Sequence, residues 1–164
     1  MRIAIVFVLA ALVAHPATSF AGAPEVYKRL KSLAGEWDAD LPGFGKLTSS
    51  VRVVSNGAAI EETIGTPTDN ELSVYTLNAD TILLTHFCAM TPDGHQVRLQ
   101  TPRLVAVPDK LDFGFASATN LHSKAAAHMR HVIMTISDHD HYSETWTKTE
   151  NGKETVFELN FVRR

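Results

Sequence analysis

Cysteine is nearly absent from this sequence of 164 residues, in which Cys88 is the only one. A single thiol cannot form a disulfide within the chain, so the disulfide-stapled classes of small secreted domain are excluded. The fold must therefore depend on a hydrophobic core, which is feasible at this length. Three interpretations of the lone thiol remain open: it is buried and inert, it is a ligand, or it is a reactive group.

Basic clusters and enzyme motifs are also missing. The chain has 15 Lys and Arg against 18 Asp and Glu, a net charge of −3, and no Lys/Arg-rich run that would bind nucleic acid. It has no nucleophile elbow, phosphate-binding loop, dinucleotide fingerprint or zinc-protease helix, although barrel enzymes can assemble a site from scattered strands. With 45% hydrophobic and 20% charged residues, the composition is that of a globular protein.

An apolar run occupies residues 3–14, follows Arg2, and leads into small residues around Ala21. The run is too short for a comfortable membrane span and is typical of a secretory signal peptide, the alternative being an uncleaved anchor. We predict that residues 1–21 are removed by cleavage before Gly22 and that residues 22–164 form one domain. The expected location is periplasmic or secreted, as a monomer or dimer with no membrane span after cleavage.

Turn-forming residues divide the rest of the chain into short segments. A single short helix is predicted over 24–33 from an apolar stripe at helical spacing. Asn56-Gly57 and Asn151-Gly152 are the strongest hairpin signals. Ten strands are predicted, at 36–41, 46–54, 58–65, 71–78, 81–90, 95–106, 110–117, 129–137, 141–149 and 153–163. This pattern predicts an all-β fold, an antiparallel up-and-down barrel of about 8–10 strands with the short N-terminal helix closing one end.

The start and the end of the predicted domain carry a resemblance. Gly35-x-Trp37 follows the predicted helix and opens the first strand, and Arg163 and Arg164 end the last one. This arrangement resembles the lipocalins and related calycin barrels, including the nitrobindin-like haem barrels. The resemblance implies that a late Arg packs over Trp37 and closes one end of the barrel. Haem ligation by a His on a late strand does not carry over, because the last strand contains no His.

A second resemblance lies in the middle of the chain. Residues 75–90 read YTLNADTILLTHFCAM. They are similar to a group of small bacterial exported proteins of unknown function that carry a Thr-His-Tyr-Cys-type strand, with Phe87 in place of the Tyr. This resemblance covers most of the mature chain and implies no established activity.

Side-chain alternation along each predicted strand divides the residues into an inward and an outward set. Several ionisable side chains fall in the inward set among apolar neighbours. Burying such groups costs several kcal/mol unless they are paired or hydrogen-bonded, so they are the main functional clue. The candidate ligand-binding residues are Glu62, Tyr75, His86, Cys88, Phe113, Phe115, His128, Arg130, Glu144 and Trp146.

His86 and Cys88 lie two residues apart on one predicted strand, so their side chains share a face. Together with His128 they form a Cys-His-His set that suits zinc or copper. In the alternative interpretation, His86 is a hydrogen-bonded core histidine and Cys88 a small buried apolar residue. Redox or catalytic use of the thiol is a third interpretation.

The inward-facing Glu62 and Glu144 could act as a general acid/base pair. Alternatively, they pair with an interior Arg130 or face solvent.

Histidines and aspartates alternate over 138–141, a pattern that resembles a metal-binding segment. In a tight turn, however, such residues are simply solvated. The aromatic candidates could line a pocket, and at least half of them must be ordinary core.

Three functions follow from these residues. The favoured one is a barrel that holds a small, largely apolar or amphipathic molecule, with the buried polar groups orienting its head group. The second is a metal or haem site that uses His86, Cys88 and His128. The third is a small hydrolase or isomerase with an interior His or Glu. No cofactor is predicted under the favoured function, and an enzyme is the less favoured class.

Overall fold

The computed structural model describes residues 21–41, 45–66, 69–88, 96–101, 104–105, 109–123 and 125–164. Except for Ala21, the predicted signal peptide lies outside these residues, as do the ends of two predicted strands at 89–90 and 95. The elements in chain order are β1 (Ala21–Gly22), α1 (Ala23–Lys31), β2 (Gly35–Leu41), β3 (Gly45–Val54), β4 (Ala59–Gly65), β5 (Asn70–Asn78), β6 (Thr81–Phe87), β7 (Gln96–Gln100), β8 (Leu104–Val105), β9 (Lys110–Ala118), β10 (His128–Ile136), β11 (His141–Glu150) and β12 (Lys153–Arg163).

Ten of these strands form a closed antiparallel barrel in the order β10-β11-β12-β2-β3-β4-β5-β6-β7-β9, and β9 pairs with β10 to close it. Within the barrel, each strand lies beside the next barrel strand in sequence, while β1 and β8 pair with each other outside it. The predicted up-and-down barrel and the predicted N-terminal helix are therefore confirmed. Among the described residues, no helix is long and apolar enough to cross a membrane.

One predicted strand, 95–106, is wrong as a single element. In the structure, β7 ends at Gln100, and Leu104–Val105 pairs with Ala21–Gly22 outside the barrel. The ladder changes at Thr101, whose Oγ1 accepts a hydrogen bond from the N–H of Ile82 at 2.9 Å. A side-chain acceptor here replaces a strand carbonyl, so the regular ladder of β7 ends at this position.

The helix covers one end of the barrel. Val26 and Leu30 are fully buried on its apolar stripe, and the Tyr27 hydroxyl donates to the carbonyl oxygens of Ala58 and Tyr75 at 3.1 and 3.2 Å. An amphipathic helix gains its stability by burying such a stripe. These contacts fix α1 over the strand ends at which β4 begins and β5 finishes.

The Arg163 guanidinium closes the same end. It lies over the ring of Trp37, with Cζ 4.0 Å from the ring centroid. It also donates to the backbone carbonyls of His139, Ala34 and Ser32 at 2.9, 3.0 and 3.2 Å. The expected contact of a late Arg with Trp37 is therefore present.

Aromatic side chains fill the interior beneath this end. The rings of Trp37 and Tyr142 meet edge to face at 4.7 Å between centroids, and Tyr142 stacks on Phe161 at 4.3 Å. All three side chains are essentially inaccessible to solvent. The α1 end is therefore solid core, and any space for a ligand must lie toward the other end.

Candidate functional site

A buried polar network crosses the middle of the barrel around Glu62. Its carboxylate accepts hydrogen bonds from the hydroxyls of Tyr75 (2.6 Å), Tyr142 (2.7 Å) and Ser49 (3.1 Å). Alternation on β3, β4, β5 and β11 directs these side chains inward. Three O–H donors around one carboxylate supply the hydrogen bonds that a buried charge needs.

Glu144 forms the second half of the network. Its Oε2 accepts a hydrogen bond from the indole N–H of Trp146 at 2.7 Å, and its carboxyl group is also hydrogen-bonded to Glu62. Burial first, and then the negative charge of Glu62, raise the pKa of Glu144 well above its ordinary value. Both causes favour the protonated form of Glu144.

The two tyrosines are neutral for the same reasons. Burial raises the pKa of Tyr75 and of Tyr142 well above the ordinary value, and the charges of Glu62 and Glu144 raise both further. Both hydroxyls therefore remain donors to the carboxylate. This arrangement stabilises the interior, because every carboxyl oxygen has a donor within reach.

Arg130 does not take part in the network, and its predicted inward placement is wrong. The β10–β11 register shifts between Met129 and His131, so Arg130 is the extra residue of a β-bulge and is exposed. A bulge breaks the two-residue alternation, which explains why the neighbouring His128 and Met129 are both buried. The glutamates are therefore satisfied by hydroxyl and indole groups instead of a guanidinium.

Phe115 is a second correction. It was placed inward with Phe113, which is fully buried, but Phe115 is 42% exposed. The register of β7 with β9 shifts immediately beyond Phe115, and its ring packs against the ring of His128 at 5.3 Å between centroids. β9 pairs with β10 only as far as Gly114, so Phe115 has a paired strand on one side only and its side chain is partly open to solvent.

His86 lies in the interior on β6, fully buried. Its Nδ1 is 3.0 Å from the hydroxyl of Ser73, the residue directly opposite on β5, and its ring contacts the ring of Trp146 at 4.5 Å between centroids. Its Nε2 has no hydrogen-bond partner among the described residues. The nearest carboxylate oxygen, from Glu71, is 3.4 Å away but is not aligned for a hydrogen bond.

A cavity of about 190 Å³ opens beside His86, at the barrel end opposite α1, where β2, β4 and β6 finish. His86 and Trp146 form part of its wall. Most of the remaining wall is apolar and comes from Leu41, Leu47, Ile64, Met129, Phe157 and Leu159. Glu62 and Glu144 are not among the lining residues, because Trp146 lies between Glu144 and the cavity.

Glu71, His86 and Cys88 come together at the mouth of this cavity. One potential ligand atom from each of these three residues lies within 4.8 Å of the other two. The predicted third ligand, His128, is not part of this group. Its ring packs against Phe115, and its Nδ1 lies 2.8 Å from the Ala126 carbonyl oxygen. Two of the three predicted metal ligands, His86 and Cys88, are therefore close together, and the third residue beside them is Glu71 instead of the predicted His128.

The other predicted site residues divide into two sets. Glu62, Tyr75, Glu144 and Trp146 share one network, while Phe113 packs against the ring of Tyr75 at 5.8 Å between centroids as plain core. The histidines and aspartates of residues 138–141 are exposed in a turn, as interpreted.

Four interior residues are not among the candidates predicted from the sequence: Ser49, Glu71, Ser73 and Tyr142. Alternation does indicate three of them, since Glu71 and Ser73 have the same parity as the inward Tyr75 on β5, and Tyr142 has the same parity as Glu144 on β11. Small hydroxyls such as Ser49 carry no hydropathy signal, so only their partner across the barrel identifies them.

Comparisons with known proteins add little to this description. No family model and no curated protein matches the chain. Among solved structures, it is similar to a protein of unknown function from the DUF3598 family of Nostoc punctiforme, with 12% identity and a TM-score of 0.41 over 82% of this chain and 48% of that chain. The chain thus spans about half the length of that protein.

Proposed function

We propose that the barrel binds a small, largely apolar molecule in the cavity beside His86. The observation that carries this proposal is a cavity of about 190 Å³ with a mainly apolar wall. An engineered apolar cavity of about 150 Å³ is large enough to bind benzene. The ligand we propose is therefore a single ring, or a branched chain of similar size, and not a long lipid.

The polar atom in the wall indicates what the ligand carries. His86 Nε2 is buried and without a hydrogen bond among the described residues. Leaving such a group unsatisfied costs roughly 1–3 kcal/mol, which a ligand can recover by placing one donor or acceptor there. The proposed ligand is therefore amphipathic, with one hydrogen-bonding group directed at His86.

The first test is a titration with phenol, and with benzene for comparison, in the presence of a chelator. We expect saturable binding that perturbs the fluorescence of Trp146, with phenol binding tighter by about tenfold, the equivalent of about 1.4 kcal/mol from one hydrogen bond. Leu159→Phe fills the cavity and should abolish binding. Val162→Phe, at an exposed position of the same strand, is the matched control and should leave binding unchanged.

Two results would contradict this function. One is an absence of saturable binding of either probe to the folded protein. The other is equal binding by the Leu159→Phe and Val162→Phe variants, which would place the probe outside the cavity. His86→Leu should remove the preference for phenol while benzene still binds.

We also propose that the barrel is of the lipocalin-like kind and that the chain is exported. The Gly35-x-Trp37 opening with Arg163 over the indole supports the first proposal. The apolar run at residues 3–14 and the small residues that follow support the second.

A further inference from the structure

We propose that Glu71, His86 and Cys88 form a metal site for Zn²⁺ at the mouth of the barrel cavity. Carboxylate oxygen, imidazole nitrogen and thiolate sulfur are the ligand types that Zn²⁺ takes in proteins. The site goes beyond the proposed function and does not depend on it. Both use His86 Nε2, so a bound ion would replace the hydrogen bond from the apolar molecule at that atom.

The strand register builds the cluster. β5 and β6 are antiparallel, with Leu72 opposite Phe87 and Ser73 opposite His86. One further step in this register sets Glu71 opposite Cys88. Because alternate residues of a strand share a face, Glu71 and Ser73 on one strand and His86 and Cys88 on the other all project into the same interior space.

The distances fit a tetrahedral ion. Glu71 Oε2 lies 3.4 Å from His86 Nε2, and Glu71 Oε1 lies 3.4 Å from Cys88 Sγ. With metal–ligand bonds of about 2.0–2.3 Å, two ligands of a tetrahedral Zn²⁺ are separated by about 3.3–3.8 Å. Two of the three ligand pairs therefore already have the spacing that an ion requires, each through a different oxygen of Glu71, and the ligand atoms of all three side chains lie within 4.8 Å of one another. Rotation of the Glu71 carboxyl and a small approach of the other two side chains would complete the geometry.

His86 is oriented as a ligand. The Ser73 hydroxyl lies 3.0 Å from Nδ1. When Nδ1 carries the proton and donates it to this hydroxyl, Nε2 keeps a lone pair, and this nitrogen lies 3.4 Å from Glu71 Oε2. Metal-binding histidines commonly hold their second nitrogen in this way. A buried Nε2 without a hydrogen bond is the second observation that indicates a missing partner.

The charge balance also favours a divalent cation. The thiol of Cys88 now donates to Glu71. Binding of Zn²⁺ would displace that proton to solvent and form the Zn–S bond, after which two anionic ligands neutralise the ion. Three protein ligands leave the fourth tetrahedral position open, and here it faces the apolar cavity, where water or an anionic group of a ligand can coordinate.

The test uses Co²⁺ as a spectroscopic probe for the full protein, followed by Zn²⁺ competition against a chromophoric chelator. We expect one Co²⁺ per chain, the visible bands of tetrahedral Co²⁺, and a near-ultraviolet thiolate-to-cobalt band. Zn²⁺ should displace the Co²⁺ stoichiometrically. Cys88→Ser should lose the thiolate band, and Glu71→Gln should weaken Zn²⁺ binding by about 100-fold or more, since even second-shell changes cost 10–100-fold.

His128→Gln is the matched control, because His128 is the histidine that the sequence suggested and that lies outside the cluster. It should retain the bands and the affinity. The site is overturned if the folded wild-type protein shows no tetrahedral cobalt bands, or if Glu71→Gln binds Zn²⁺ as tightly as the wild type does. Should Cys88→Ser fail to fold, Glu71→Gln alone decides the result.

Ser73 is a positioning residue, and its variant separates a built site from a chance cluster. Ser73→Ala should lower Zn²⁺ affinity by about 10–100-fold while the thiolate band is retained. An unchanged affinity would show that the orientation of His86 is irrelevant, and would contradict the proposed role of Ser73. Phenol binding in chelator is measured on the same samples, so failure of the metal site and failure of the cavity function remain distinguishable.

Discussion

At the scale of single residues, the interior of this barrel shows how one proton can stabilise two buried carboxyl groups. Glu62 receives three hydroxyl donors, whereas Glu144 receives the indole N–H of Trp146 and a 3.4 Å contact from Tyr75. Burial and the negative charge of Glu62 both raise the pKa of Glu144, the carboxyl group with fewer donors, and so favour its protonated form. A proton on Glu144 reduces the repulsion between the two buried carboxyl groups.

Glu144→Gln should change how stability depends on pH. The raised pKa means that the folded state keeps a proton which the unfolded chain loses above about pH 4.3. The contribution of Glu144 is full below that pH and is lost as pH rises toward its folded pKa, by up to about 1.4 kcal/mol per pH unit. Glutamine cannot ionise but keeps an N–H donor toward Glu62, so this slope should disappear.

Urea unfolding from pH 5 to pH 8 measures the free energy of unfolding of the wild type and of Glu144→Gln. The difference between the two at each pH cancels the contributions of the other titrating groups. Glu154→Gln, at an exposed position on β12, is the control and should follow the wild type. Identical slopes for Glu144→Gln and wild type would mean that Glu144 is already ionised in the fold.

At the scale of elements, the α1 end is held together by one side chain from the last strand. Arg163 bonds carbonyls from the turn after α1 and from the β10–β11 hairpin, and covers Trp37 at the start of β2. Gly35 makes this approach possible, because a Cβ there would collide with Arg163 Nη1 and because its φ of +147° is unfavourable for other residues. The spacing Gly-x-Trp thus has a steric reason.

Gly35→Ala should therefore be more destabilising than Gly152→Ala. Gly152 also has a positive φ, of +74°, but a Cβ there meets nothing within 4 Å. We expect a loss of about 1–3 kcal/mol from backbone strain at either glycine, plus a collision cost only at Gly35. Urea unfolding of the two variants measures the loss in the free energy of unfolding that each substitution causes.

Repeating the Gly35→Ala substitution in an Arg163→Ala background separates the two causes. The collision disappears and the backbone cost remains, so Gly35→Ala should cost less in that background than in the wild type. Equal costs in the two backgrounds would show that Arg163 does not constrain Gly35.

At the scale of the whole molecule, the barrel begins at Gly35 and is filled unevenly. The α1 end is packed with aromatic rings, the middle carries the carboxyl network, and the opposite end contains the cavity and the Glu71, His86 and Cys88 cluster. The proposed binding sites and the packed core therefore lie at opposite ends of one axis. None of the barrel strands uses a residue from the proposed signal peptide.

We expect the protein recovered from the periplasm or medium to begin at Gly22, as read from its intact mass. Ala21→Arg should block processing, because cleavage requires a small residue at that position, whereas Phe20→Leu should be processed normally. A recovered chain that still begins at Met1 would contradict the proposed cleavage.

The candidate site was only partly predictable from the sequence. Alternation correctly buried Glu62, His86, Cys88 and Glu144, since the side-chain period of a regular strand is independent of its neighbours. It failed at Arg130, because a bulge inserts one residue and reverses the faces. No local pattern marks such an insertion.

The sequence by itself determined nine of the ten barrel strand segments, the helix, the barrel class and most of the residues that face inward, because turn residues and two-residue periodicity are local properties. Only the tertiary structure decided which inward residues meet. The cross-strand register sets Glu71 beside Cys88 and Ser73 beside His86, and barrel closure brings Glu144 to Glu62. Register and closure depend on every strand at once, so partners distant in sequence are fixed only when the barrel is complete.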